Sequence, residues 1–392
     1  MPPDTSAQQR NDPLKVLVWG ACDLGKPRVR IMLSSLKAAG ADVTLMRAPV
    51  WDGVEDKSGL GVVRMIGFAI RYFFVILRLL LRYFRAPPHD IVLIGYLGQF
   101  DALAFWPLKV FSRKPVVLDA FISLYDTVVL DRRKLRAGGL AARFLRLVER
   151  LSYRCADLVV FDTATHAARI SSELNLDQTR FRHVHVGVEV DAFPLLPPKP
   201  LSDAAPLEIL FYGQFIPLHG IDAIIAAARQ STDRNWRWRL IGDGQEAPRI
   251  RKALAADPIS NLEWIDWADY EALSAEIARA DVCLGVFGAG EKSGSVVPNK
   301  AWQVIASGRP LITRDSAAMQ EIVEVDTVAL SLISPEDPNA FVAALNDMDI
   351  KLRSGAPVSP HNLQRAICSE EMIGQRWLEI LTNAMGNGSQ RE

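Results

Sequence analysis

The stretch GAGEKSGSVVPNKAWQ, residues 288–303, sets Lys292 and Lys300 on either side of a run of small residues that leads into an apolar helix. Loop amides, a helix N-terminus and ammonium groups together make a site for an anion such as a phosphate. Either lysine could instead be a solvated surface group. That reading is weaker for Lys300, which sits between Asn299 and an apolar helix face. A second stretch, GQFIPLHG at 213–220, opens on Gly213, and its glycines allow close backbone approach to a phosphate. Its Gln214 and His219 supply no fixed positive charge at neutral pH, and a plain turn is the alternative. LIGDGQ at 240–245 places Gly242 and Gly244 at a strand end, where a structural turn is at least as good a reading.

Nearer the N-terminus, CDLGKPRVR at 22–30 offers backbone amides at Gly25 and charge from Lys26 and Arg28 at a helix start. It lacks the spacing of a P-loop or a dinucleotide fingerprint. LDAFISLYDTVVLDRR at 118–133 follows a strand and carries Asp119, Asp126 and Asp131. Carboxylates at strand ends can orient an acceptor hydroxyl or take its proton, and they can equally be caps or ion-pair partners. Asp119 is the first choice and Asp126 the second; His166 and His185 are secondary candidates. The carboxylate spacing does not show the two-acid pattern of a glycoside hydrolase, and no nucleophile–histidine–acid order or metal-ligand spacing stands out.

The elements that must position these groups alternate. LKVLVWG at 14–20 and ADVTLMRAP bracket a helical pattern, VRIMLSSLKAAG, and predict a β-loop-α-β unit opening a parallel sheet. Apolar runs at 90–96, 114–121, 157–163 and 180–188 continue it, with a helix over 141–156. The proline-rich stretch 193–206 cannot be regular structure and reads as a linker. After it the alternation restarts in shorter units. The prediction is two doubly wound α/β domains, an N-terminal one over 1–194 and a C-terminal one over 207–392, joined by a linker at 195–206. They would leave a cleft at the carboxyl ends of their sheets.

A chain of 392 residues suits two domains. Its 45 basic and 45 acidic residues cancel, so nothing in the average points to nucleic acid. Four scattered cysteines, none in a CxxC pair, fit a reducing compartment. The polar start MPPDTSAQQRNDP lacks the apolar core of a signal peptide, so a cytosolic chain is expected.

In the second half, FYGQFIPLHGIDAIIAAA, WRLIGDGQ, YEALSAEIARADVCLGVFG and NKAWQVIASGRPLIT stand in an order that resembles the retaining GT-B glycosyltransferases of family 4. WGACDLGKPR and HVHVGVEVDAFP extend the resemblance more weakly over the first half. It implies two Rossmann-like domains facing each other across a cleft, a nucleotide-sugar donor held by the second half, and no metal or other cofactor. It also implies an arginine and a lysine facing the diphosphate at the positions of Gln214 and His219, and glutamates at the positions of Ser295 and Gln303. Lys292 and Lys300 then become candidate replacements for the missing charge, Gln303 a partner for a ribose hydroxyl, and Gly213, Gly242 and Asn299 further donor-side positions. Asp119, or failing it Asp126, falls where an acid or histidine approaches the reacting sugar. The loop with Gly25, Lys26 and Arg28 falls across the cleft.

One segment lies outside that pattern. In VVRMIGFAIRYFFVILRLLLRYFR, residues 62–85, the charges are Arg64, Arg71, Arg78, Arg82 and Arg85, with no acid. At about 100° per residue these five fall within an arc of roughly 60°. A membrane span is disfavoured, because each central arginine costs roughly 2.5–3.5 kcal/mol. An in-plane interfacial helix on an anionic membrane fits better, with a sheet-packed helix bearing a basic edge as the alternative.

The expectation is therefore a retaining hexosyltransferase at the cytoplasmic face of the cell membrane. It would move a sugar from a nucleotide-diphosphate donor to a lipid-linked or glycan acceptor for a cell-surface polysaccharide or glycolipid. Two alternatives are a non-catalytic binding protein on a degenerate GT-B fold and a soluble enzyme with a small acceptor.

Overall fold

The computed structural model describes residues 12–50, 62–323, 329–355 and 361–388. The N-terminal residues 1–11, on which the leader expectation rests, lie outside them. Two six-stranded sheets carry the chain. The first is built from β1 (Lys15–Gly20), β2 (Asp42–Arg47), β3 (Ile91–Ile94), β4 (Val116–Phe121), β5 (Leu158–Phe161) and β6 (Phe181–His183), in the order β2-β1-β3-β4-β5-β6. The second is built from β7 (Leu207–Tyr212), β8 (Trp236–Ile241), β9 (Leu262–Ile265), β10 (Val282–Leu284), β11 (Leu311–Arg314) and β12 (Leu330–Ile333), in the order β12-β11-β10-β7-β8-β9. The ladders β1·β2, β1·β3 and β3·β4 are parallel. So are all five of the second sheet. Parallel strands buried on both faces must be apolar throughout, as β3, β5 and β10 are, whereas β8, WRWRLI, alternates. In β3 all four residues are buried.

The helices used below are α1 (Pro27–Ala38), α2 (Val62–Tyr83), α3 (Gln99–Ser112), α4 (Leu140–Cys155), α5 (Ala164–Glu173), α6 (Ile221–Gln230), α7 (Glu291–Ser295), α8 (Asn299–Ser307) and α9 (Glu370–Gly388). Residues 184–206 contain no strand or helix. The chain divides into two compact units, one of 1–120, 152–159 and 374–392, the other of 121–151 and 160–373.

In the first unit α2 has three sides. Ile76, Leu79 and Tyr83 are buried, and the Tyr72 hydroxyl bonds Asp101 of α3. Ile70, Phe73, Phe74, Leu77 and Leu81 are exposed, Phe74 by 63 %. Arg71, Arg78 and Arg82 form the third side and are exposed, as is Arg85 just past the helix. Arg64 is on the helix, but its side chain lies outside the described residues. No helix among the described residues is long and apolar enough to cross a membrane.

The second unit has its own core. Leu207, Ile209 and Phe211 of β7, Trp238 and Leu240 of β8, and Leu284 of β10 pack with Ile221 and Ile224 of α6. That core fixes the end of β7, where the chain must turn into Gly213.

Candidate functional site

The order of the second sheet reverses between β7 and β10. Beside such a switch the loops leaving the strands part, and ligands bind there in doubly wound folds. A pocket of about 320 Å³ opens at this point, wholly within the second unit. Tyr212, Gly213 and His219 line it from the end of β7 and the following loop; Asn299, Lys300 and Gln303 line it from the first turn of α8.

Lys300 is the central group. It is 6 % exposed, and its Nζ has no hydrogen-bond partner among the described residues. The ammonium lies 3.8 Å from the centre of the Phe211 ring, a favourable but weak contact for a buried charge. Burial without a counter-ion pushes its pKa well below the usual lysine value. The approach depends on Gly213, whose φ is +140° and whose Cβ, if present, would sit 2.8 Å from Lys300 Nζ. Any side chain at 213 would displace the ammonium.

His219 completes the same wall. Its Nδ1 faces the Gln214 carbonyl, so that nitrogen carries a proton and donates. Burial, then Lys300, Arg132 and Lys292, hold its pKa well below the usual value. Gln214 turns away from a ligand role, because its Oε1 accepts from Arg132 Nη2 at 2.7 Å. Lys292 lines the pocket, but Asp131 Oδ2 and Thr127 Oγ1 take its ammonium, each at 3.2 Å. Asp131 also accepts from the Leu218 amide at 3.1 Å, tying the loop after β7 to Lys292. Gln303 accepts from the Tyr212 hydroxyl at 2.8 Å. Lys300 thus stands in the first turn of α8, where a helix N-terminus and an ammonium suit an anion.

Two family models match the chain. Residues 25–187 match the glycosyl transferase 4-like domain, and residues 206–348 match the glycosyl transferases of group 1. The chain belongs to the group 1, family 4 glycosyltransferases of the GT-B fold. Among curated relatives it is 23 % identical over 244 residues to the probable glycosyltransferase WbjE of Pseudomonas aeruginosa, covering 57 % of this chain and 58 % of that one. It is 25 % identical over 198 residues to the putative colanic acid biosynthesis glycosyl transferase WcaI of Escherichia coli K12, covering 50 % and 47 %. The chain thus spans about half the length of these curated relatives. Among solved structures, the Anabaena protein HepE in complex with UDP superposes with a TM-score of 0.64 at 13 % identity, covering 94 % of this chain and all of that one.

Within this glycosyltransferase fold several sequence expectations need correction. Asp119 does not stand free at a strand end. It is fully buried in the first unit, with Arg28 Nη2 at 2.8 Å from Oδ1 and Nε at 3.0 Å from Oδ2. Arg28, expected to offer charge to a ligand, is spent on that pair and lies 5.2 Å from the Trp377 ring of α9. In the same loop Gly25 donates its amide to Asp23 at 2.9 Å, and Lys26 caps α1 through its backbone. Asp126 is fully buried and paired with Arg169. Gly242 does not line the pocket; its Cβ would meet the Gly213 carbonyl at 1.9 Å, so it is a packing glycine. Ser295 donates to the Glu291 carbonyl within α7 and accepts from Arg169 Nε at 3.0 Å, which is a structural role.

The acid that does line the pocket is Asp162, which the sequence reading passed over. It follows β5 and receives His166 Nδ1 at 2.8 Å. His166 is fully buried on α5, and its Nε2 has no hydrogen-bond partner. That nitrogen lies 3.9 Å from Asp126 Oδ2, so Asp162, His166, Asp126 and Arg169 form a chain that begins at the pocket wall. The i, i+4 spacing of Asp162 and His166 across a strand-to-helix turn was the available signal. His185, the other secondary histidine, bonds the Asp162 carbonyl through Nδ1 at 3.1 Å and packs on Trp302. Its ligand atom and those of His183 and Glu321 lie within 4.8 Å of one another. Glu321 also caps α5, accepting from Ala164 and Thr165 amides.

Proposed function

We propose that this protein transfers a sugar, with retention, from a nucleotide-diphosphate donor to a lipid-linked or glycan acceptor in the synthesis of a cell-surface polysaccharide or glycolipid. The observation that carries the reading is the buried, unpartnered ammonium of Lys300 at the sheet switch point. Such a group is costly in the free protein and becomes favourable when an anion enters. Lys300, assisted by the amides at the start of α8 and by Lys292, holds the donor diphosphate and stabilises its charge as the glycosidic bond breaks. Neutral His219 donates no charge and shapes the wall. Gln303 hydrogen-bonds the ribose, and Asp162, oriented by His166, hydrogen-bonds the sugar or acceptor hydroxyl. No step in this scheme calls on a metal. The UDP bound by HepE and the glycan-synthesis description of WcaI support a nucleotide donor and this class of acceptor.

The test is turnover against a panel of nucleotide sugars with lipid extracts as acceptors. Wild type releases nucleoside diphosphate with at least one donor, and Lys300→Ala is slower by about tenfold or more while keeping its circular dichroism. Absence of turnover with every donor favours the non-catalytic alternative.

Work at the inner face of the cell membrane is our reading of the exposed apolar side of α2 beside its arginines, an arrangement that suits the acyl boundary and anionic headgroups. Replacing Arg64, Arg71, Arg78, Arg82 and Arg85 with glutamine is expected to release the protein from anionic liposomes in flotation. Unchanged flotation contradicts the interfacial reading.

A further inference from the structure

The second unit carries another cationic cleft that the donor site does not use. Its volume is about 310 Å³, and Tyr125, Arg143, Arg146, Leu147 and Arg150 line it. Three arginines at positions i, i+3 and i+7 of α4 occupy one face of that helix. Arg146 is held in place by an ion pair to Glu173 at 2.9 Å and by stacking 4.7 Å over the Tyr125 ring. Neither of the other two guanidiniums, Arg143 and Arg150, has an ion pair among the described residues, and Arg150 Nε is buried without a hydrogen-bond partner there. The acid of this helix, Glu149, binds Ser123 and the Leu124 amide.

Beside the arginines runs an apolar row at i, i+4, i+7 and i+11: Leu140, Phe144, Leu147 and Leu151, with Leu140 84 % and Phe144 61 % exposed. A row of arginines against a row of exposed apolar side chains matches the boundary between phosphate headgroups and acyl chains. A nucleic acid would match the cations and leave the apolar row in water.

We infer that the α4 cleft binds the phosphate of an anionic phospholipid, whose acyl chains lie along Leu140, Phe144, Leu147 and Leu151. This rests on the proposed work at a membrane and adds a contact independent of α2, with headgroup recognition.

The experiment is flotation of the full chain on vesicles of phosphatidylcholine, with and without phosphatidylglycerol, using wild type, the five-arginine α2 variant and Arg143→Gln/Arg150→Gln. The double variant is expected to bind phosphatidylglycerol vesicles about tenfold more weakly than wild type. Its residual binding to phosphatidylcholine and its donor hydrolysis in solution are expected to match wild type, and excess inorganic phosphate is expected to leave wild-type flotation intact. If wild type floats and the double variant floats equally well, the cleft is not a headgroup site, whereas the α2 reading survives. If the double variant loses phosphatidylcholine binding in equal measure, the cleft does not select an anionic phospholipid and the inference fails; if inorganic phosphate abolishes flotation, the cleft takes free phosphate rather than a lipid headgroup. If wild type floats on neither vesicle, both this inference and the membrane reading fail.

Discussion

Arg28 and Lys300 are both buried cations in the first turn of a helix, yet their surroundings are opposite. Arg28 has a carboxylate supplied by its own chain, the fully buried Asp119, bound through two guanidinium nitrogens. Lys300 has none: its nearest favourable contact is the face of Phe211. A buried pair that is complete within the fold is part of the architecture. A buried charge left incomplete is tolerated where something else will complete it, and in a pocket at the sheet switch point that something is an anionic ligand.

The first way to break this comparison is to remove the protein's own counter-ion. Asp119→Asn leaves Arg28 buried and uncompensated, and is expected to cost about 3–5 kcal/mol of stability by urea denaturation. A change too small to measure would mean that Arg28 reaches water or another acid. The reverse experiment is Lys300→Met. It takes away an uncompensated charge and is expected to raise the stability of the ligand-free protein by about 1 kcal/mol, read from the same denaturation curve. A loss of stability would show that Lys300 is structural, like Arg28.

The smallest effect concerns protons. The Lys300 pKa is depressed by burial, so between that value and the ordinary lysine range the free protein lacks a proton that an unfolded chain would carry. A bound diphosphate restores it. Diphosphate binding should therefore take up a proton on the alkaline side of neutrality and weaken as the pH rises. Calorimetry in buffers of different ionisation heat measures this; a heat that does not vary with the buffer contradicts it.

The sheets were legible in the sequence because strands buried on both faces are uninterrupted apolar runs ended by Gly, Pro or Asp. The apolar runs around DVTLMR, LEILFYG and RPLITRD all fall on strands. α5 was not, because TATHAARISSEL is a mild apolar pattern interrupted by polar residues whose partners lie far off in sequence. The lining of the candidate pocket was legible where the residues are local in sequence. Lys292, Asn299, Lys300 and Gln303 sit within one short stretch, and all four line the pocket. A residue's role was misread where a long-range partner decides it. Asp119 and Arg28 are 91 residues apart, and nothing in either motif announces that they neutralise each other. Asp162 was missed for the converse reason: its carboxylate gains meaning only from the loop after β7 and from α8, which close the same pocket.

The central claim is that Lys300 waits for a diphosphate. The direct measurement is the melting temperature of wild type and Lys300→Met with uridine, UMP, UDP and the other nucleoside diphosphates. The account predicts that at least one diphosphate stabilises wild type by several degrees, that its nucleoside does not, and that Lys300→Met loses most of the shift. Equal shifts in the two proteins, or no shift with any diphosphate, would contradict it.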